Sequence, residues 1–139
     1  MEKNLLATAL SLPLLLSAVV HAQTIQLKVT VPFDFIAGDS ALPAGDYDVY
    51  SIGAWGGKAL SIHSVTLKAG TLVLSNSSQS AKIFDRNTLV FYRYGQKYFL
   101  AEVWIANTNI GRQMLLNQRE TELARNQQKS EVVLTASGK

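Results

Sequence analysis

From residue 25 to residue 31 the chain reads Ile-Gln-Leu-Lys-Val-Thr-Val, an apolar side chain at every second position. Only an extended strand sends alternate side chains to opposite faces; a helix would scatter these residues around its circumference. Similar strand patterns recur at residues 46–52, 59–65 and 71–75, and again, rich in aromatic and β-branched residues, at 88–105. A chain patterned this way encloses its interior with sheets. It contains no cysteine, so disulfides, thiolate nucleophiles and thiolate metal sites are excluded. Packing and ladder hydrogen bonds must hold the sheets together.

Turn chemistry divides the pattern into strands. Pro32 interrupts the first run, and Phe33 and Phe35 keep its parity around Asp34, which points to an edge position or a bulge. Gly38-Asp39-Ser40 reads as a loop. Leu42-Pro43-Ala44-Gly45 suits a type I turn, with Pro second and Gly fourth. Residues 53–57 form a glycine-rich loop holding Trp55. A polar loop is expected over 76–80 and a short strand over 81–84.

The clearest hairpin spans 88–105. Gly95-Gln96 suits a two-residue primed turn with Gly first, placing Tyr94 opposite Lys97, Arg93 opposite Tyr98, Tyr92 opposite Phe99 and Phe91 opposite Leu100. One face then carries Val90, Tyr92, Tyr94, Phe99, Ala101, Val103 and Ile105. The other carries Leu89, Phe91, Arg93, Tyr98, Leu100, Glu102 and Trp104. After a loop at Asn107-Thr108-Asn109, Asn117-Gln118-Arg119-Glu120 forms a capping box that opens a helix over about 117–128. Glu120 near its start and Arg125 and Lys129 near its end suit the macrodipole. A last strand is expected over 131–135. The fold class is all-β, a small barrel or sandwich of seven or eight mostly antiparallel strands, with one C-terminal α-helix closing an opening or an edge.

The first residues carry an address. A short polar start with Lys3 precedes an almost wholly apolar run over 5–20, and Val20-His21-Ala22 has the small-residue pattern of a signal-peptidase site. The run contains Pro13 and is shorter than the roughly 20 residues of a spanning helix. The expectation is a signal peptide over 1–22 and one β-rich domain over 23–139, secreted or periplasmic, with no membrane span after cleavage. Most of the strands are shorter than the roughly 9–11 residues used by a transmembrane β-barrel. Without cysteine, the mature chain is not a bacterial lipoprotein.

Val31-Pro32-Phe33-Asp34-Phe35, Leu42-Pro43-Ala44-Gly45-x-Tyr47-x-Val49, Phe91-x-Arg93-Tyr94-Gly95-x-x-Tyr98-Phe99-Leu100, Trp104, Gly111-Arg112 and Glu120-x-Glu122-Leu123-Ala124 occur in this order. As a set they resemble a family of small exported proteins common in soil acidobacteria. The resemblance covers residues 29–124. It implies a bacterial envelope or extracellular location and a β-rich domain with a C-terminal helix, and it implies no activity or cofactor.

Little in the chain carries reaction chemistry. The formal charge is +3, and Glu2 and Lys3 leave together with the leader, so the charge is unchanged by cleavage. The basic residues are scattered, whereas nucleic-acid binding needs a dense patch. His63 is the histidine left after cleavage, without a Gly-x-Ser-x-Gly elbow or a Ser-x-x-Lys motif to serve. One histidine and no cysteine do not make a zinc site. Asp46 and Asp48 share one side of a strand and read as its solvated face. No enzyme, cofactor or metal is expected.

The mixed hairpin face is the candidate binding surface: Phe91, Tyr98, Leu100 and Trp104 supply aromatic and apolar area, while Arg93 and Glu102 orient a ligand. Trp55 on its loop is a second candidate. The structural alternative has the helix covering this face, Arg93 stacked on Tyr98, and Glu102 meeting Arg112 or solvent. The expected role is a non-catalytic binding or interaction module for a small ligand or an envelope protein. The alternative is a structural envelope component that self-associates through its sheet edges.

Overall fold

The computed structural model describes residues 25–53 and 58–138. The expected signal peptide and the Trp55 loop tip lie outside the described residues. The strands are β1 (Gln26–Val31), β2 (Phe35–Ala37), β3 (Ser40–Leu42), β4 (Gly45–Ile52), β5 (Ala59–Ser64), β6 (Gly70–Phe84), β7 (Asn87–Tyr94), β8 (Lys97–Trp104), β9 (Thr108–Met114) and β10 (Lys129–Gly138). Helix α1 (Gln118–Asn126) precedes the last of these.

Eight of the strands pair antiparallel around a closed ring in the order β1-β4-β5-β6-β9-β8-β7-β10, and β10 returns to β1. Closure chooses between the two expected architectures: this is a barrel. The alternation in β1 does what its period demands, with Leu27, Val29 and Val31 buried and Gln26, Lys28 and Thr30 exposed. All the barrel strands contribute to one core, including Tyr47, Val49, Leu60, Ile62, Val73, Leu89, Phe91, Leu100, Val103 and Met114, with Val132 and Leu134 packed against it. The lumen is therefore apolar and filled, and the outer face of β1 is polar. An outer-membrane barrel has the inverse arrangement. Among the described residues, no helix is long and apolar enough to cross a membrane.

The β2–β3 hairpin completes the wall where β9 does not reach. Ile36 pairs in parallel with Phe99 of β8, and Ser40 shares a 2.9 Å hydroxyl hydrogen bond with Thr71 of β6. Phe35 drives inward, edge-on to both Tyr47 and Phe91. Pro32 therefore marks the end of β1 and the start of a separate element, rather than a bulge in a longer strand. Several residues of the ordered motifs have structural work here. Asp34 Oδ1 accepts from the Ala44 amide at 2.9 Å, the Tyr47 hydroxyl donates to the Pro43 carbonyl, and Phe33 stacks on Tyr98 at 3.9 Å.

Two segments depart from the expected elements. Residues 76–80, expected as a polar loop, continue β6 as one strand through Phe84, with an irregularity between Gln79 and Phe84. The segment around Gly111-Arg112 is strand β9, its partner. Both are polar and largely exposed, so no apolar alternation announces them; main-chain pairing between the two holds them extended. The helix ends two residues earlier than expected, and β10 is longer than expected at both ends.

Candidate functional site

The hairpin register is the expected one from Tyr94↔Lys97 to Phe91↔Leu100. Gly95 takes φ 61°, the positive value that a primed turn with glycine in first place requires. Beyond Leu100 the register shifts: Val90 faces Glu102, and Ala101 is left over as a bulge. A bulge exchanges inside for outside along the rest of its strand. Leu89, Phe91 and Leu100 share the lumen with Val103, whereas Glu102 and Trp104 fall on the outer face with Tyr92.

This splits the expected binding surface. Phe91 is fully buried in the lumen. Arg93 and Tyr98 lie toward the turn end of the same face, with the guanidinium carbon 5.2 Å from the Tyr98 ring centroid and Arg93 Nε donating to the Gly95 carbonyl at 2.8 Å. The Arg93–Tyr98 stack is the structural alternative read from the sequence. Glu102 and Trp104 are across the sheet wall from them. Glu102 meets neither Arg112 nor bulk water alone: it accepts from Tyr92 Oη at 2.9 Å and from Trp104 Nε1 at 2.8 Å. Trp104 is itself buried, stacked on Phe84 at 5.1 Å and laid over Gly111, where an added Cβ would stand 2.3 Å from the indole Cε3. Five of the six expected site residues thus belong to packing or to internal hydrogen bonding. The sixth, Trp55, lies outside the described residues.

The helix covers the outer face rather than the one expected. Ile36, Tyr94 and Phe99 form a second apolar cluster, against which Tyr92 and Leu123 pack. Both ends of α1 are tied to hairpin turns. Asn117 caps the helix, its Oδ1 accepting from the Glu120 amide at 2.7 Å, while its Nδ2 donates to the Gly38 carbonyl at 2.6 Å in the β2–β3 turn. At the other end Gln127 lies against the β7–β8 turn, where a Cβ on Gly95 would meet its Oε1 at 2.8 Å.

Beneath this strap is a cleft of about 320 Å³. It exists because one edge of β8 serves two neighbours. Residues Glu102 to Trp104 pair with β9 and Phe99 pairs with β2; between them, Leu100 and Ala101 have no ladder partner on that edge among the described residues. Leu100, Ala101, Met114, Leu116 and Ala124 form the apolar wall. Tyr92, Tyr94, Gln113, Glu120, Thr121 and Lys129 supply the polar groups. Its size and its mixture are those of a small-molecule site. A larger groove, about 410 Å³, runs past Asp34, Pro43, Lys97, Tyr98 and Arg119, but its charged side chains are exposed and remain solvated.

Glu120 dominates the electrostatics of the cleft. It is 5% exposed. Its Oε1 accepts from Tyr94 Oη at 3.4 Å, at the long end of hydrogen bonding. Burial pushes the Glu120 carboxyl up from its ordinary value, and the Tyr94 hydrogen bond and the charge of Lys129 pull it partly back. Tyr94 is raised by burial and by Glu120. Tyr92 is raised further, by burial first and then by its hydrogen bond to Glu102. Lys129 Nζ sits 4.0 Å from the centre of the Tyr92 ring, a close cation–π contact.

From the sequence, Glu120 belongs to the capping box and to the charge pattern that suits the helix macrodipole. A signal for its role in the cleft was present: Glu120, Leu123 and Ala124 stand at i, i+3 and i+4, so the carboxyl shares a face with the helix's thin apolar stripe. Of the polar residues weighed from the sequence, Asp46 and His63 are exposed and Asp48 is half-buried. Thr30 Oγ1 donates to Asp46 at 2.6 Å, Lys28 reaches Asp48 at 3.9 Å, and exposed His63 stacks on Tyr50. No group of three or more His, Asp or Glu among the described residues is placed to hold a metal ion. Comparison with protein-family models, with curated proteins and with solved structures gives no match.

Proposed function

We propose that the protein is an exported, non-catalytic binding module that holds a small, largely apolar ligand in the cleft between helix α1 and the outer face of the β7–β8 hairpin. The observation that carries this reading is the contrast between the filled lumen and a concave cleft at the β8 edge, where apolar walls meet a buried carboxyl and two tyrosine hydroxyls. Binding is favoured over reaction because the polar groups near the cleft hold one another: Tyr92 bonds Glu102, Tyr94 bonds Glu120, and Lys129 lies on the Tyr92 ring. None is arranged as a nucleophile with its base. Export rests on the leader pattern over residues 1–22.

Assembly through sheet edges has less behind it. The ring is closed, and closure removes the long edges to which copies add strands; the strand at the margin of the sheet order, β3, has three residues.

The test is to fill the cleft. Ala124 is exposed on the helix and lines the cleft wall, so Ala124→Trp should obstruct it without entering the barrel core. Saturable fluorescence of a neutral, polarity-sensitive dye should be lost in this variant while the melting temperature holds. Equal dye binding by both proteins would refute the reading.

A further inference from the structure

Among the described residues, Glu120 is the acidic side chain lining the cleft, and its partners are poor for a carboxyl so deeply placed. One oxygen takes a long hydrogen bond from Tyr94; the other, Oε2, accepts none from any described residue and is not among the buried polar atoms left without a partner, so it keeps access to water in the cleft. A buried carboxyl is ordinarily matched by several donors or by a cation, because removing it from water is otherwise unfavourable. The neighbouring cation, Lys129, is held over the Tyr92 ring rather than on the carboxyl. The helix cap does not use the carboxyl either, since Asn117 bonds the Glu120 amide. An acidic group with spare acceptor capacity therefore faces a cavity that Leu100, Met114 and Leu116 also line.

We infer that the ligand of this cleft is an amphipathic amine: a protonated nitrogen meets Glu120 Oε2, and an apolar body lies against Leu100, Met114 and Leu116. This inference rests on the cleft being the binding site. It adds the sign of the ligand's charge and the residue that reads it. A carboxylate-headed ligand would face Glu120 with like charge, and Lys129 could meet it only by leaving the Tyr92 ring. A neutral alcohol would bring no charge to the carboxylate.

The experiment is calorimetric titration of the protein with hexylamine, hexanol and hexanoate, which share one apolar body and differ in the head group. Hexylamine should bind at least about tenfold more tightly than hexanol, the usual advantage of a charge-assisted hydrogen bond, and hexanoate should bind most weakly. Glu120→Gln keeps the shape of the side chain and should remove the preference for the amine over hexanol.

Equal affinities for amine and alcohol in the unsubstituted protein would overturn the inference, and so would an amine preference that survives Glu120→Gln. The three-ligand comparison in the unsubstituted protein decides the matter even if the variant does not fold. Ala124→Trp separates the two levels of the argument. If all three ligands bind alike and Ala124→Trp blocks them, the cleft stands and the amine does not. If none binds, or if Ala124→Trp changes nothing, both fall.

Discussion

Turned toward the lumen, the β7–β8 hairpin presents Leu89, Phe91, Leu100 and Val103, none more than 3% exposed. Turned outward, it presents Tyr92, Tyr94, Glu102 and Trp104, whose hydroxyl, carboxyl and indole groups bond to one another or to Glu120. The inner face contributes volume: its side chains fill a ring already closed by backbone hydrogen bonds, and their value lies in leaving no void. The outer face contributes directed polarity under a helix. A recognition surface needs the second kind of construction, which is why the cleft is found on the wall of the barrel and not in its interior.

Substitutions can break or sharpen this contrast. The largest loss is expected from Phe91→Ala, which opens a cavity at a fully buried position shared with Phe33 and Phe35. Urea unfolding should show a loss of about 3–5 kcal/mol; a loss under about 1 kcal/mol would mean that the lumen is not the packed core. Next is Gly111→Val on the outer face. Its Cβ would lie 2.3 Å from Trp104 Cε3 and 2.6 Å from the Val103 carbonyl, so overpacking should cost about 1–3 kcal/mol, read as a lower melting temperature. An unchanged melting temperature would place Trp104 elsewhere.

Glu120 gives the contrast a pH dependence. Burial raises its carboxyl above the ordinary value of 4.5. The fold therefore prefers the protonated form: that stability is fully present below the ordinary value and is lost as pH rises through the raised one. Glu120→Gln imitates the protonated group, so its advantage over the unsubstituted protein should grow as pH rises above the ordinary value of 4.5 in parallel denaturant titrations. A gap that stays constant as pH rises would detach Glu120 from the buried face. The smallest effect belongs to Arg93→Ala, where a partly exposed guanidinium leaves one aromatic ring. The expected loss is about 0.5–1 kcal/mol, and the cleft ligand should bind as before.

Much of the architecture was legible in the order of the residues. Alternation over 25–31 announced β1, and Gly95-Gln96 fixed the first half of the hairpin register, because both are local signals with a stated geometry. The second half was not legible. Nothing in Leu100-Ala101-Glu102 distinguishes a bulged alanine from a regular one, yet that single extra residue moved Glu102 and Trp104 to the opposite face. The candidate surface is divided for this reason, and the cleft combines Leu100 of that face with residues of the other parity, Tyr92 and Tyr94. The polar ends of β6 and β9 were invisible for a different cause: each is extended because the other is there, a pairing across 35 residues from Ser77 to Arg112. The cap by Asn117 was readable, whereas the Glu120 carboxyl turns to Tyr94 instead of completing the capping box, and the tether from Asn117 to Gly38 depends on a contact 79 residues distant.

The ring closes where β1 meets β10, with Lys28 opposite Ser137, 109 positions further along the chain. A chain emerging from the ribosome thus holds its first strand without one of its neighbours until almost everything else has been made. Such a topology has high contact order and folds slowly. A polypeptide of this design completes its barrel only after synthesis has passed β10.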